Sequence, residues 1–168
     1  LGSGRESLLL SAHGPALDRF LIAGKWRRVE VRSVLASLNQ VELTPELDSV
    51  AQGTGQRFYR YLLAHALTVR PTEAIEITVG ESALLARGTR TLDMAYANPV
   101  MLYVVTQNDS SRSGADASDN IQMFGALRLR SGGTVFRGEL LVDDIQIDSK
   151  DRETIQDQIA WSVTGTQA

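Results

Sequence analysis

Cysteine is absent from this chain of 168 residues, and lysine occurs only as Lys25 and Lys150. The lack of cysteine excludes disulfides, thiolate metal sites and cysteine nucleophiles. The chain also has no apolar run near the length of about 18 residues that a membrane-spanning helix requires. This absence does not argue against a membrane β-barrel, because barrel strands carry their apolar residues at alternate positions.

The net charge and the missing sequence motifs exclude further classes of function. The formal net charge of −3 is too small to predict a nucleic-acid partner. Hydrophobic residues make up 43% of the chain, enough for the core of a single β domain over residues 1–168. The sequence has no phosphate-binding loop, no Gly-X-Ser-X-Gly element and no metal-binding helix. It therefore predicts no cofactor and no metal site.

The strongest structural pattern is a pair of long alternating segments on either side of Gly132-Gly133. A Gly-Gly pair between such segments predicts a two-residue hairpin turn. With that turn, directly opposed residues sort by polarity onto two faces. The pairs predicted for the apolar face are Leu129–Phe136, Leu127–Gly138, Gly125–Leu140 and Met123–Val142. Those predicted for the polar face are Arg128–Arg137, Ala126–Glu139, Phe124–Leu141 and Gln122–Asp143.

These two strands are long enough to cross a bilayer. Tilted membrane strands need about 9–11 residues, whereas an ordinary strand has about 5–6. A long hairpin with one apolar and one charged face is typical of an outer-membrane β-barrel. The side chains predicted to face lipid are Met123, Leu127, Leu129, Phe136, Leu140 and Val142. Those predicted to face inward are Gln122, Arg128, Arg137, Glu139 and Asp143.

A second long hairpin is predicted over residues 57–82, with a three-residue turn at Pro71-Thr72-Glu73. Its predicted pairs are Val69–Ile75, Leu67–Ile77 and His65–Val79, with Glu81 a diagonal neighbour of His65. This register again separates polar from apolar residues, except that His65 and Glu81 share the apolar face.

Further alternating segments bring the number of strands to about seven or eight, joined mostly as hairpins. They lie at residues 6–10, 19–25 and 29–38, while residues 155–161 fit either a strand or a short helix. Residues 43–56 and 107–119 are polar and predict loops. The sequence thus predicts an all-β, antiparallel meander, with a soluble β-sandwich as the alternative that would bury the same apolar faces.

Eight short motifs follow one another between residues 57 and 148. They are His65, Arg70-Pro71, Ile75-Glu76-Ile77, Gly80-Glu81-Ser82, Arg87-Gly88, Asn98-Pro99, Asp119-Asn120 and Gly138-Glu139-Leu140-Leu141-Val142-Asp143-Asp144. In order and spacing they resemble the capsule-assembly Wzi family. The resemblance implies a Gram-negative outer-membrane β-barrel that retains capsular polysaccharide as a lectin, not as an enzyme. Its implied partners are surface polysaccharide and outer-membrane lipid.

Barrels of that family are much longer than this chain and include a periplasmic helical part. We therefore expect the chain to be a segment of such a barrel or a small relative of it. A different hypothesis is a structural subunit of a larger membrane protein assembly that has no sugar ligand.

Five charged side chains form the predicted glycan-binding site, namely Arg128, Arg130, Arg137, Glu139 and Asp143. Arginine suits acidic sugars because its planar fork donates two parallel hydrogen bonds to a carboxylate. The alternative is that the arginines pair with Glu139 and Asp143 and only order the polar face. No pair of these carboxylates fits glycoside hydrolysis, because Glu139 and Asp143 lie about 13 Å apart along one strand.

The remaining polar pair is His65 and Glu81. Two ligands are too few for a structural zinc site, so we expect a structural hydrogen-bonded pair. A hydrolase that uses these two residues is the weakest hypothesis, because neither a nucleophile nor a metal set accompanies them. A charge on the lipid side at mid-bilayer costs about 2–4 kcal/mol, so the pair also requires an explanation in any barrel.

Overall fold

The computed structural model describes residues 18–42, 57–87, 96, 98, 102–103, 120–143 and 158–167. These residues contain seven β-strands. In chain order they are β1 (Asp18–Trp26), β2 (Val29–Glu42), β3 (Arg57–Val69), β4 (Ile75–Arg87), β5 (Asn120–Ser131), β6 (Thr134–Asp143) and β7 (Gln158–Gln167). The segment that fitted either a strand or a helix is therefore a strand from Gln158 onward. The predictions for residues 6–10, 43–56 and 107–119 lie outside the described residues.

Each strand pairs antiparallel with its neighbours in sequence, in the order β1-β2-β3-β4-β5-β6-β7. This order confirms the predicted all-β, antiparallel meander. The described strands form one open sheet with β1 and β7 at its edges, and they include no second sheet of the kind that a β-sandwich requires. Among the described residues, no helix has the length and apolar character needed to span a membrane.

The hairpin of β5 and β6 has the register predicted from the sequence. Leu129 lies opposite Phe136, and Gln122 lies opposite Asp143, with all the intervening predicted pairs in place. The φ angles of Gly132 and Gly133 are +50° and +87°. Positive φ at both central residues matches the right-handed twist of the strands, which is why a Gly-Gly pair is favoured here.

The hairpin of β3 and β4 has a different register from the predicted one. His65 lies opposite Glu81 rather than Val79, and Val69 lies opposite Ile77 rather than Ile75. The turn is longer than three residues, because the last pair of β3 and β4 is Val69–Ile77, while the Arg70 N–H donates to the Arg28 carbonyl beside β2 at 2.8 Å. Pro71 has no N–H with which to continue the ladder. A shift of two residues keeps every side chain on its predicted face.

The strand register places the side chains on two faces. One is the apolar face, which carries large hydrophobic side chains from β1 to β7. Those more than a third exposed are Phe20, Ile22, Trp26, Val31, Leu67, Ile77, Val79, Met123, Leu127, Leu129, Phe136, Leu140, Ile159, Trp161 and Val163. The other is the polar face, which carries most of the charged strand residues and whose small side chains, such as Ala64 and Ala66, are buried.

The two ends of the sheet differ in their connections. At the turn end, residues 27–28, 70–74 and 132–133 join successive strands. At the connection end, the strands are joined through residues 43–56, 88–119 and 144–157. Short turns at one end and longer connections at the other are typical of outer-membrane barrels.

Candidate functional site

Three arginines of the predicted glycan site lie together on the polar face near the turn end. Arg128 on β5 is directly opposite Arg137 on β6, and Arg130 follows on the same face of β5. The Nε atoms of Arg128 and Arg137 are buried and have no hydrogen-bond partner among the described residues. We call these three residues the arginine cluster. Since directly opposed like charges destabilise a sheet, an anion between Arg128 and Arg137 would bind favourably.

A neighbouring network of charges is already neutralised. Arg70 forms ion pairs with Glu30 at 2.9 Å and with Glu76 at 2.7 Å. The Arg32 Nε also donates to Glu30. The hydrogen bond to Glu30 raises the pKa of the Arg70 guanidinium, which therefore stays charged at any physiological pH. The carboxylates of Glu30 and Glu76 are thus engaged by arginines outside the cluster.

Positive charge is in excess in this part of the molecule. Between β2 and β6, five arginines and three glutamates lie on the polar face in the half nearer the turn end, and the exposed Glu73 in the turn adds a fourth acid. A cavity of about 310 Å³ opens at this place. It is lined by Arg70, Glu73, Ala74, Ile75, Glu76, Arg128 and Arg130. The cavity offers an acidic ligand two arginines of the cluster.

One carboxylate of the predicted glycan site, Asp143, does not join this group. Asp143 lies near the connection end, where the amides of Asn120 and Gln122 donate to its Oδ2 at 3.3 and 3.2 Å. It is six positions from Arg137 along β6, or about 20 Å at the rise of a strand. Glu139 lies between them on the same face and is buried. In the part of the chain that the structure describes, no ion pair links Asp143 to the arginine cluster.

His65 and Glu81 form a second polar site, on the apolar face. They are directly opposed on β3 and β4, and the distance from His65 Nε2 to Glu81 Oε1 is 2.8 Å. The same carboxylate oxygen accepts the backbone N–H of Tyr103 at 2.7 Å. Glu81 is buried, with 3% of its surface exposed. The pair is therefore enclosed by the protein and not open to the surroundings of the apolar face, although His65 Nδ1 has no hydrogen-bond partner among the described residues.

Tyr103 covers this pair from the connection between β4 and β5. Its ring lies 4.5 Å from the His65 ring, centroid to centroid, and 5.7 Å from that of Tyr96. Both tyrosines pack with Leu63, Ala83 and Leu85 in a buried cluster on the connection-end half of the apolar face. Burial raises the pKa of the Tyr103 hydroxyl to about 12, and the nearby Glu81 carboxylate adds to the rise. The cover explains how a polar pair is kept on this face.

Several of these residues were not found from the sequence. The ion pairs of Arg70 with Glu30 and Glu76 join three separate segments, and only the true register brings them together. The contact of Tyr103 with His65 was not predicted either, because nothing in the sequence around Tyr103 indicates it. Within the described ranges, no group of three or more His, Cys, Asp or Glu side chains could hold a metal ion.

Comparison of the chain with models of protein families, with curated proteins and with solved structures gives no match.

Proposed function

We propose that this chain forms part of an outer-membrane β-barrel that retains acidic surface polysaccharide by binding it, with outer-membrane lipid against its apolar face. The observation that carries the proposal is the combination of a large exposed apolar area, which extends from β1 to β7 and is covered only around His65 and Leu63, with an opposite face on which Arg128 and Arg137 have unpartnered Nε atoms. The sequence resemblance to the capsule-assembly Wzi family supports the same conclusion.

The exposed part of the apolar face is long enough to cover much of a lipid-facing band. On β5 it extends over four rows, from Leu129 to Met123, whereas the next row, with Leu63 and Ala83, is buried with Tyr96 and Tyr103. Four rows extend about 20 Å along the strands, or about 16 Å along the membrane normal at the tilt of roughly 40° common in barrels. The apolar band of outer-membrane barrels is about 25 Å tall. A soluble domain rarely exposes an apolar surface of this extent.

Trp26 lies at the border expected of such a band. It is 69% exposed on the apolar face at the turn end, and the Arg27 guanidinium lies 5.0 Å from its ring centroid. Tryptophan is enriched where the apolar band meets the headgroups, because its ring is apolar and its N–H is polar. Arg27 and Arg28 would then lie among the headgroups.

The polar face supports polysaccharide as the ligand. The Nε atoms of Arg128 and Arg137 have no hydrogen-bond partner among the described residues, so both guanidinium groups have a donor available to a ligand. A guanidinium binds a sugar carboxylate through paired hydrogen bonds, each of which is stronger than a neutral one. Binding by such contacts requires no catalytic group, which is consistent with a lectin-like role.

The edge strands β1 and β7, which are unpaired on one side, favour a second function. In this function the chain is a subunit or segment of a larger membrane protein assembly. In a meander of seven strands, β1 and β7 run in the same direction. Antiparallel closure between them therefore requires at least one further strand, and barrels avoid unpaired edges in the membrane because each unsatisfied backbone group is costly there. A segment of a larger assembly could also retain polysaccharide, so the two functions are compatible. Binding of polysaccharide distinguishes such a segment from a structural subunit that has no sugar ligand.

Spin labels at successive positions 122 to 129 test the membrane part of the proposal. In lipid vesicles, we expect oxygen accessibility to alternate, with high values at positions 123, 127 and 129 and low values at 122, 126 and 128. Labels at positions 124 and 125 serve as internal controls. Phe124 is buried, and Gly125 lies directly opposite Leu140 on β6. Uniform accessibility, or a protein that is monodisperse in buffer without detergent, would contradict a lipid-facing apolar face.

Binding of polygalacturonate to the purified protein in detergent tests the polysaccharide part. We expect binding that weakens steeply as salt rises from about 50 to 300 mM, because the contacts are between charged groups and are screened. Neutral dextran of the same chain length should not bind. Equal binding of both polymers, or no binding of either, would leave the role of structural subunit.

A further inference from the structure

The turn between β1 and β2 has a backbone conformation that its residues do not favour. Trp26 pairs with Val29, so Arg27 and Arg28 alone form the turn. Arg27 has a φ of +50° and is the only residue other than glycine with a positive φ among those described. This conformation is unfavourable for a residue with a side chain, because its Cβ lies too close to the following carbonyl oxygen. Backbone strain of this kind is found mainly at functional sites.

The two arginines of this turn have different surroundings. The Arg28 side chain donates to the Pro71 carbonyl, and the Arg28 carbonyl accepts the Arg70 N–H at 2.8 Å. Arg28 therefore fixes the turn against the one between β3 and β4. Arg27 is exposed, and its guanidinium carbon Cζ lies 5.0 Å from the centroid of the Trp26 ring. Contact with a ring face does not use the N–H donors at the edge of the guanidinium, so these are available to an anion.

An open apolar surface begins beside this guanidinium. Trp26 is 69% exposed and is the last residue of β1 on the apolar face, so Arg27 lies at the border of that face. Gly24 precedes Trp26 on the same face, and a Cβ there would meet nothing within 4 Å. The exposed side chain of Ile22 follows on β1, and that of Val31 lies opposite Gly24 on β2. Large apolar side chains thus surround an open position that has a cation at its turn end.

We propose that Arg27, Trp26 and the open surface over Gly24 bind one anionic phospholipid. The Arg27 guanidinium donates two parallel hydrogen bonds to the lipid phosphate, a geometry for which its planar fork is suited. An acyl chain of the same lipid lies over Gly24, beside the Trp26 ring. The proposal rests on the proposed contact of the apolar face with lipid and adds a defined headgroup site to it.

The charges near Arg27 favour an anionic headgroup over a zwitterionic one. Arg28 is exposed in the same turn and donates to a neutral carbonyl, so its positive charge is not cancelled. The exposed Glu73, in the turn that Arg28 contacts, is one acid beside these two arginines. Phosphatidylethanolamine carries an ammonium group that neutralises its own phosphate, whereas phosphatidylglycerol keeps a net negative charge. In a barrel with short periplasmic turns, this end of the sheet meets the periplasmic leaflet.

Quenching of Trp26 fluorescence by brominated phospholipids tests the headgroup site in vesicles. The chain has two tryptophans, and Trp161→Phe leaves Trp26 as the single reporter. In vesicles of phosphatidylethanolamine with a minor fraction of phosphatidylglycerol, the acyl chains of one lipid at a time carry bromine. We expect phosphatidylglycerol to occupy the site about fivefold more strongly, which is the contribution of one arginine beside an anionic headgroup. Raising the salt from about 50 to 500 mM should reduce this preference, because the contact is between charged groups.

Arg27→Gly removes the guanidinium and relieves the backbone at the same time. The variant should lose the preference for phosphatidylglycerol. Its midpoint of unfolding in urea should be no lower, because glycine readily adopts a φ of +50°. Lys25→Gln is the matched control, since it removes a neighbouring cation that lies on the polar face opposite Glu30, and it should retain the preference. A preference retained in Arg27→Gly would overturn the site.

Quenching in the protein with Arg27 intact separates this proposal from the proposed function. Equal quenching by the two brominated lipids would overturn the headgroup site and leave the contact of the apolar face with lipid in place. No quenching by either lipid would contradict that contact, and the headgroup site with it.

Discussion

Retention of acidic polysaccharide on cells is expected to be abolished when Arg128→Glu and Arg137→Glu are combined, while the protein still assembles. Hydrogen bonds to charged groups contribute about 1.5–3 kcal/mol each, so two reversals should weaken binding about 100-fold or more. Assembly should survive because the Nε atoms of both arginines make no hydrogen bond among the described residues that the substitutions would remove. Retention is measured with labelled polysaccharide, and assembly by heat-modifiable mobility on gels.

Two further variants make this result specific. Arg19→Glu is the matched control, because Arg19 is an exposed arginine of the polar face on edge strand β1, outside the cluster. It should retain polysaccharide. Arg128→Gln with Arg137→Gln removes charge without placing a new acid opposite Glu76, and should weaken binding less. Unchanged retention in the double reversal removes the cluster from the site, and failed assembly indicates a structural role for the arginines.

The largest effect on folding is expected at Gly80. A Cβ there would overlap the main-chain oxygen of His65 and lie 2.5 Å from Phe124 Cζ. Phe124 is buried directly opposite on β5, so Gly80→Ala must move either a ring or a strand. We expect a loss of about 3 kcal/mol or more in the free energy of unfolding, at the upper end of overpacking. Urea titration of the protein in lipid vesicles measures it.

Gly138→Ala is the control, because a Cβ there would meet nothing within 4 Å. It should change the free energy of unfolding by no more than about 0.5 kcal/mol. Combining Gly80→Ala with Phe124→Ala should recover only part of the loss, since the overlap with the His65 oxygen persists. Equal stability of the Gly80 and Gly138 variants would falsify this account of the contact between β3, β4 and β5.

The accuracy of the predicted strand register depended on the turn that joins the two strands of each hairpin. Gly132-Gly133 defines a turn of known length, so the eight predicted pairs of β5 and β6 are all correct. At Pro71, the missing N–H cannot continue the ladder, and the pairing of β3 with β4 ends at Val69–Ile77. The predicted register there is wrong by two residues, although both faces are right. A pattern of period two cannot distinguish registers that differ by two.

The candidate sites also include some features that could be predicted from the sequence and others that could not. The common face of Arg128, Arg130 and Arg137 was predictable, because it depends only on alternate positions around one defined turn. Their separation from Asp143 by about 20 Å also follows from strand rise, although the five residues had been grouped as one site. The ion pairs of Arg70 were not predictable, because they join β2, β3 and β4 through a register that the sequence left open.

The alternation of polar and apolar residues by itself determined the strands, their two faces and the meander order, because local periodicity and short turns specify these. Only the tertiary structure decided which residues meet across the strands. It set Glu81 directly opposite His65, and it brought Tyr103 over that histidine. Such contacts join residues that are far apart in the chain. The register that brings them together is determined by the free energy of pairing summed over the whole sheet.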